Sequence, residues 1–208
     1  SWFKNNWNQR NGLYLSAFTG LKFNHEIDAI TFNKDTGYEV GFYASRSQRV
    51  INCNVCDIQH PINNIALKRF KEVLNDVKPP IFDSKHNING IAHVVFRVSS
   101  QSDLMIGIVS NDELIDFRQK LVKELSHIPF CKSITLTLNS NPEWTVLNGK
   151  DVLLWGRNEL TEKIDDLSFS LSLRSFFQEN RQGMALLWSL IKRKLLKESA
   201  KKVFDLYC

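Results

Sequence analysis

Residues Phe169–Asn180 read FSLSLRSFFQEN, and after a helical pattern the chain closes with VFDLYC, Val203–Cys208. The first stretch alternates apolar and polar residues as a strand does, then breaks into the pair Phe176-Phe177, Gln178 and Asn180. Between the two stretches, Gln182–Ala200 carries Leu186, Leu187, Leu190, Ile191, Leu195 and Leu196 along one side, which predicts a helix. Lysines and Arg193 crowd its second half, where they complement the helix dipole. A helix leading into a short apolar strand, Lys202–Tyr207, is how a doubly wound nucleotide-binding sheet begins. Starting on Ser1 and ending on that strand, the sequence reads as an excised segment of a longer chain.

Upstream, Ile27–Phe32 and Tyr38–Tyr43 flank the turn residues Asn33–Gly37 and predict a hairpin, to which Arg49–Asn54 adds a third strand. Residues 1–20 hold Trp2, Phe3, Trp7, Tyr14 and Phe18 with no clean period. Ile65, Leu67, Phe70, Val73, Leu74 and Val77 are spaced for an amphipathic helix that Pro79-Pro80 ends, its Lys68, Arg69, Lys71 and Lys78 mostly on the wet side. Strands are predicted at Ile91–Val98 and Leu104–Val109. A helix capped by Asn111 follows from Asp112 to His127, then a strand at Ser133–Leu138. From Val152 to Leu173 the pattern is again strand-like, as VLLWG, LTEKI and LSFSLSL. The fold class is α+β: a mixed or antiparallel sheet with covering helices, followed by the first helix and strand of a Rossmann-like unit.

The 208 residues carry 43% apolar side chains, enough for a real core, and a formal net charge of +5 that raises the odds of a polyanionic partner only modestly. No apolar run is long enough for a membrane span, and SWFKNNWNQR lacks the apolar centre of a signal peptide. Cys53, Cys56, Cys131 and Cys208 are too sparse for a disulfide framework, which fits a reducing, cytoplasmic setting. Cys53-x-x-Cys56, with His60 as the nearby candidate, leaves a zinc half-site or a redox pair open.

SFFQEN, a helix and then FDLYC together resemble the RNA uridine-5-methyltransferase family, whose pattern is Phe-Phe-Gln-x-Asn, helix, Asp-Leu-Tyr/Phe-Cys-Gly. Further matches keep the same order: Gly41–Tyr43, CDIQHP at Cys56–Pro61, HVVFR at His93–Arg97, the Asn139 strand and Gly156, so that the resemblance covers most of residues 23–208. It implies a central α+β domain over 1–172 and the start of an S-adenosylmethionine-dependent methyltransferase domain over 173–208. Gln178 and Tyr207 match positions that contact S-adenosylmethionine, and Phe176 and Phe177 would lie near the reaction centre, one of them shaping a pocket for a flipped uracil. Cys56 matches the fourth ligand of a [4Fe–4S] cluster whose other three cysteines would precede Ser1.

Cys208 belongs to the cofactor strand in this likeness. The cysteine that adds to C6 of uracil and the carboxylate that takes the C5 proton would lie beyond it. The implied partner is RNA, ribosomal (23S) rather than transfer RNA, read by a monomer that is not bound to membrane. The alternative is an RNA-binding, substrate-orienting module without chemistry of its own. The chain departs from the family at Asn24-His25-Glu26, Ala92, Leu173 and Glu179.

Overall fold

The computed structural model describes residues 25–33, 35–45, 47, 49–142, 146–178, 180–198 and 201–204. The predicted hairpin and its third strand form as β1 (His25–Asn33), β2 (Gly37–Tyr43) and β3 (Val50–Asn52). Then come helix α1 (Pro61–Val77), β4 (Ile91–Val98), β5 (Leu104–Ser110), helix α2 (Ile115–Ser126), β6 (Cys131–Leu138) and β7 (Lys150–Gly156). These strands make one seven-stranded sheet in the order β3-β2-β1-β4-β5-β6-β7. All neighbours are antiparallel except β5 and β6, which run parallel. A parallel pair needs a long crossover, and α2 supplies it. The fold is therefore α+β with a mixed sheet, as the alternation of patterns predicts.

The central strands β4 and β5 are buried along their whole length, so both faces of the sheet are covered. On one face α1 lays Ala66, Leu67, Phe70 and Leu74 against Val94, Phe96, Ile106 and Ile134, with the Phe70 and Phe96 rings edge to face at 5.8 Å. On the other face the cover is thinner. There Val95, Met105 and Val109 pack with Leu160 and Leu173, and Val146 and Leu147 lean on them. Leu160 opens β8 (Leu160–Ile164), which pairs with β9 (Leu167–Leu171) in a separate two-stranded sheet. Helix α3 (Arg181–Lys197) ends the described fold, and Met184 is its buried residue. No helix among the described residues is long and apolar enough to cross a membrane.

Three boundaries differ from the sequence reading. Helix α1 begins at Pro61, a turn earlier than Ile65, because His60 caps it and Pro61 fits the first helical position; Ile62 is buried and Ile65 is exposed. Helix α2 begins at Ile115, after Leu114 in a left-handed conformation, and Asn111 is not its cap. The Asn111 side chain instead accepts from the Gly90 amide (2.9 Å) and donates to Asn89 Oδ1 (2.7 Å), a tertiary use that outcompetes capping. The strand expected at Lys202–Tyr207 is not formed over Lys202–Phe204, since none of the described strands pairs with them and strand backbone needs a neighbour. Asp205 to Cys208, and with them Tyr207, lie outside the described residues, as do residues 1–24 and Glu179.

Candidate functional site

The segment between β9 and α3, Ser172–Asn180, crosses the thinly covered face of the sheet as a strap pinned at both ends. At its start Leu173, 2% exposed, sits over Gly107 of β5. A Cβ at Gly107 would lie 2.5 Å from the Leu173 methyl, so the missing side chain is the leucine's seat. Ser172 and Ser175 then close a tight turn, the Ser172 amide donating to Ser175 Oγ at 3.0 Å. Arg97, buried in β4, donates from Nη2 to the Ser175 carbonyl at 2.7 Å. Arg174 points the other way and grips Asp151 of β7 in a bidentate pair of 2.6 and 2.7 Å. The carboxylate holds the guanidinium pKa above its usual value.

At its end the strap becomes a helix cap. Asn180 Oδ1 accepts from the Gly183 amide at 2.8 Å. Arg181 Nη2 donates to the Val98 carbonyl (2.6 Å) and to Glu162 Oε2 (2.7 Å), a carboxylate 1% exposed that also accepts from the Ser100 amide at 3.1 Å. The end of β4, the middle of β8 and the start of α3 are thereby joined through one buried carboxylate. Between the two anchors exposure alternates from Phe176 to Gln178. Phe176 is 86% exposed, Phe177 turns back onto Phe169 with ring centroids 5.9 Å apart, and Gln178 is again exposed.

The CDIQHP stretch leads into helix α1. Its backbone wraps the first turn of α1: the Cys56 amide donates to Asn64 Oδ1 (2.9 Å), Asn64 Nδ2 returns a bond to the Cys56 carbonyl (3.0 Å), and Asn63 Nδ2 donates to Gln59 (3.0 Å). His60 Nδ1 accepts from the Ile62 amide at 3.2 Å. Its pKa is lowered, first by burial and then by the positive charge of Arg181, which keeps the capping nitrogen unprotonated. The Cys56 thiol is lowered to about 6, chiefly because Cys53 donates a hydrogen bond to its sulfur, with help from the Ile58 and Gln59 amides and against its own burial. Cys131 is the opposite case, pushed up to about 11 by burial in the core under α1 and α2.

The structure thus brings Phe176, Phe177 and Gln178 onto one strap and sets Cys56 in the loop that opens α1. Arg97 was read only as the end of the HVVFR match, and Glu162 and Arg181, which also hold the strap, went unread in the sequence. The signal for Arg97 was a charge inside a mostly apolar strand, IAHVVFRV.

A four-thiolate cluster does not fit the described residues. Cys56 is a competent thiolate ligand with Cys53 at its side, but no group of three or more metal-binding side chains gathers among the described residues.

Comparison with known proteins agrees with this geometry. No family model matches the chain. An uncharacterized RNA methyltransferase of Caldanaerobacter subterraneus is 34% identical over 142 residues, covering 67% of this chain and 31% of the relative. Another, from Oceanobacillus iheyensis, is 31% identical over 172 residues, covering 81% of this chain and 38% of the relative. The crystal structure of Pyrococcus abyssi tRNA (uracil-54, C5)-methyltransferase with S-adenosyl-L-homocysteine superposes with a TM-score of 0.67 at 21% identity, over 82% of this chain and 40% of that one.

The fold and these relatives define the class as RNA methyltransferases. By these relatives the chain belongs to the RNA methyltransferases, and its likeness to the Pyrococcus abyssi enzyme is one of fold. It spans between three and four tenths of the length of these relatives.

Two outcomes are expected. Arg181→Met strands the Glu162 carboxylate and costs about 3 kcal/mol, the low end for breaking a buried pair because 24% of the arginine side chain stays wet. Adding Glu162→Gln to it recovers part of that loss in urea unfolding, whereas additive losses would count against the pair. At pH 7 iodoacetamide labels Cys56 with a midpoint near pH 6 and spares Cys131, and Cys53→Ala moves the Cys56 midpoint upward. An unmoved midpoint would refute the Cys53 contribution.

Proposed function

We propose that this chain is part of an S-adenosylmethionine-dependent RNA (uracil-5-)-methyltransferase, and that the Ser172–Asn180 strap is the edge it contributes to the active site. The observation that carries the reading is the strap's alternation between two anchors, which leaves Phe176 and Gln178 outward on a rigid support. A preorganised support is what a methyl-transfer site needs, since placement to within about 0.5 Å decides the rate.

Gln178 fits a contact to S-adenosylmethionine because its carboxamide is exposed and makes no hydrogen bond among the described residues, so a donor and an acceptor are both available. When bound, that cofactor supplies an electrophilic methyl group. Tyr207 is assigned by resemblance to the same site, and Phe176 is the flat apolar wall for the flipped uracil, with Phe177 fixed behind it against Phe169. The nucleophilic cysteine and the base are assigned to sequence beyond Cys208, and a [4Fe–4S] role for Cys56 is assigned only in company with cysteines before Ser1.

The domain boundary is proposed between residues 172 and 173. The exposed apolar side of α3 supports it: Leu187, Trp188 and Ile191 are 54%, 48% and 49% exposed, in a row suited to packing against a following sheet. The RNA is read as ribosomal rather than transfer RNA, and the setting as cytoplasmic. The test uses the longer protein that contains this chain. Gln178→Ala is expected to raise the S-adenosylmethionine Kd at least tenfold while RNA binding holds, and Phe176→Ala to lower kcat on a uridine-containing RNA. Unchanged cofactor affinity in Gln178→Ala would sink the assignment.

A further inference from the structure

A cavity of about 620 Å³ opens between the β1–β3 edge and the segment 81–85, away from the strap, within the size range of small-ligand sites of about 300–1,000 Å³. Its wall carries two half-buried aromatics, Tyr43 and Phe82, and two cations, Arg49 and Lys85. Tyr43 is held by an edge contact with the His93 ring at 6.0 Å, and His93 is itself fixed by the Pro142 carbonyl 3.2 Å from Nε2. The flat surface is therefore rigid.

Asp83, the acid on that wall, is already committed. It accepts from His86 Nδ1 at 2.7 Å and from the Lys85 and His86 amides at 2.9 and 3.2 Å, and these bonds hold its pKa down. Among the described residues neither Arg49 nor Lys85 has an acidic side-chain partner. A mostly polar pocket with two aromatic rings in its wall and two uncommitted cations matches a base joined to a phosphate.

His93 and Arg97 lie on the same face of β4, four residues and so about 13 Å apart at strand rise. Arg97 carries the strap. The cavity thus opens on the sheet face that bears Phe176 and Gln178, within reach of a neighbouring stretch of the same nucleic acid.

We propose that this cavity is a second RNA site, which takes one unstacked nucleotide of the RNA substrate, the base against Tyr43 and Phe82 and the phosphate against Arg49 and Lys85. It rests on the RNA reading above and adds a specificity-determining contact away from the reacting uridine. Sequence-specific recognition of RNA acts mostly on splayed, single-stranded bases, and one base held here fixes the register of the next.

The test measures binding of the chain to a fluorescently labelled stem-loop RNA in about 50 mM salt, where phosphate contacts are strong. Arg49→Glu with Lys85→Glu is expected to weaken binding at least tenfold and to lower the salt slope by about 2, one per lost phosphate-facing cation. The same charge change on the outer face of α1, Lys68→Glu with Arg69→Glu, is expected to change affinity less than threefold. With 4-thiouridine in the loop, photocrosslinks are expected on the peptides holding Tyr43 and Phe82.

If the unmodified chain binds no RNA, the RNA reading and this site fall together. If it binds but the two double variants behave alike, or crosslinks avoid both peptides, the site is wrong while the RNA reading stands. Competition by a free mononucleotide at concentrations no higher than those of the RNA would assign the cavity to a small nucleotide and overturn the proposal.

Discussion

A buried guanidinium holds the segment between β9 and α3 to the central sheet. Arg97 sits in the middle of the sheet, 7% exposed, and donates to the backbone carbonyl of Ser175 at 2.7 Å. A cation taken out of water must find acceptors, and a charge-assisted bond to a carbonyl is stronger than a neutral one. The consequence is positional: the carbonyl precedes Phe176, so the guanidinium sets where the outward-facing residues begin. Arg181 repeats the device at the other end, bonding the Val98 carbonyl one residue beyond Arg97 on the same strand. Two arginines, one from the sheet and one from the helix, thus lash the strap to the end of β4.

Packing reinforces what these bonds specify. Gly107 leaves a vacancy on β5 that Leu173 fills, and inserting even a methyl group there would force the leucine out. Leu173 supplies apolar burial at that point and leaves the turn to Ser172 and Ser175. The CDIQHP loop serves helix α1. Its polar residues are spent on starting α1, and the charge of Arg181 reaches His60 there.

Much of the sheet was legible in the sequence because its strands carry clean apolar runs between turn residues: β4 falls at Ile91–Val98 as read. The strap was legible as a change of pattern at Phe176, but period alone does not say which phenylalanine turns inward; that depends on Phe169, which only the folded hairpin brings near. Asn111 misled for a related reason, since a good capping residue was claimed by Gly90, twenty-one positions away in the chain. Glu162 and Arg181 were invisible as a pair because nothing local relates residues nineteen apart. Over Lys202–Phe204, the described part of the strand expected at Lys202–Tyr207, no strand forms on the same ground, a strand being a property of two segments and not of one.

The central claim is that Ser172–Asn180 is a fixed support held by Arg97, and not a flexible linker between β9 and α3. Amide hydrogen exchange read by mass spectrometry addresses it directly, because local opening reports the free energy of the contacts that close a segment. Peptides spanning residues 172–183 are predicted to exchange well below the unfolded-chain rate, and Arg97→Met is predicted to release that protection while β4 and β5 stay protected. Exchange of the segment at the unfolded-chain rate in the unmodified protein, or protection that survives Arg97→Met unchanged, would contradict it.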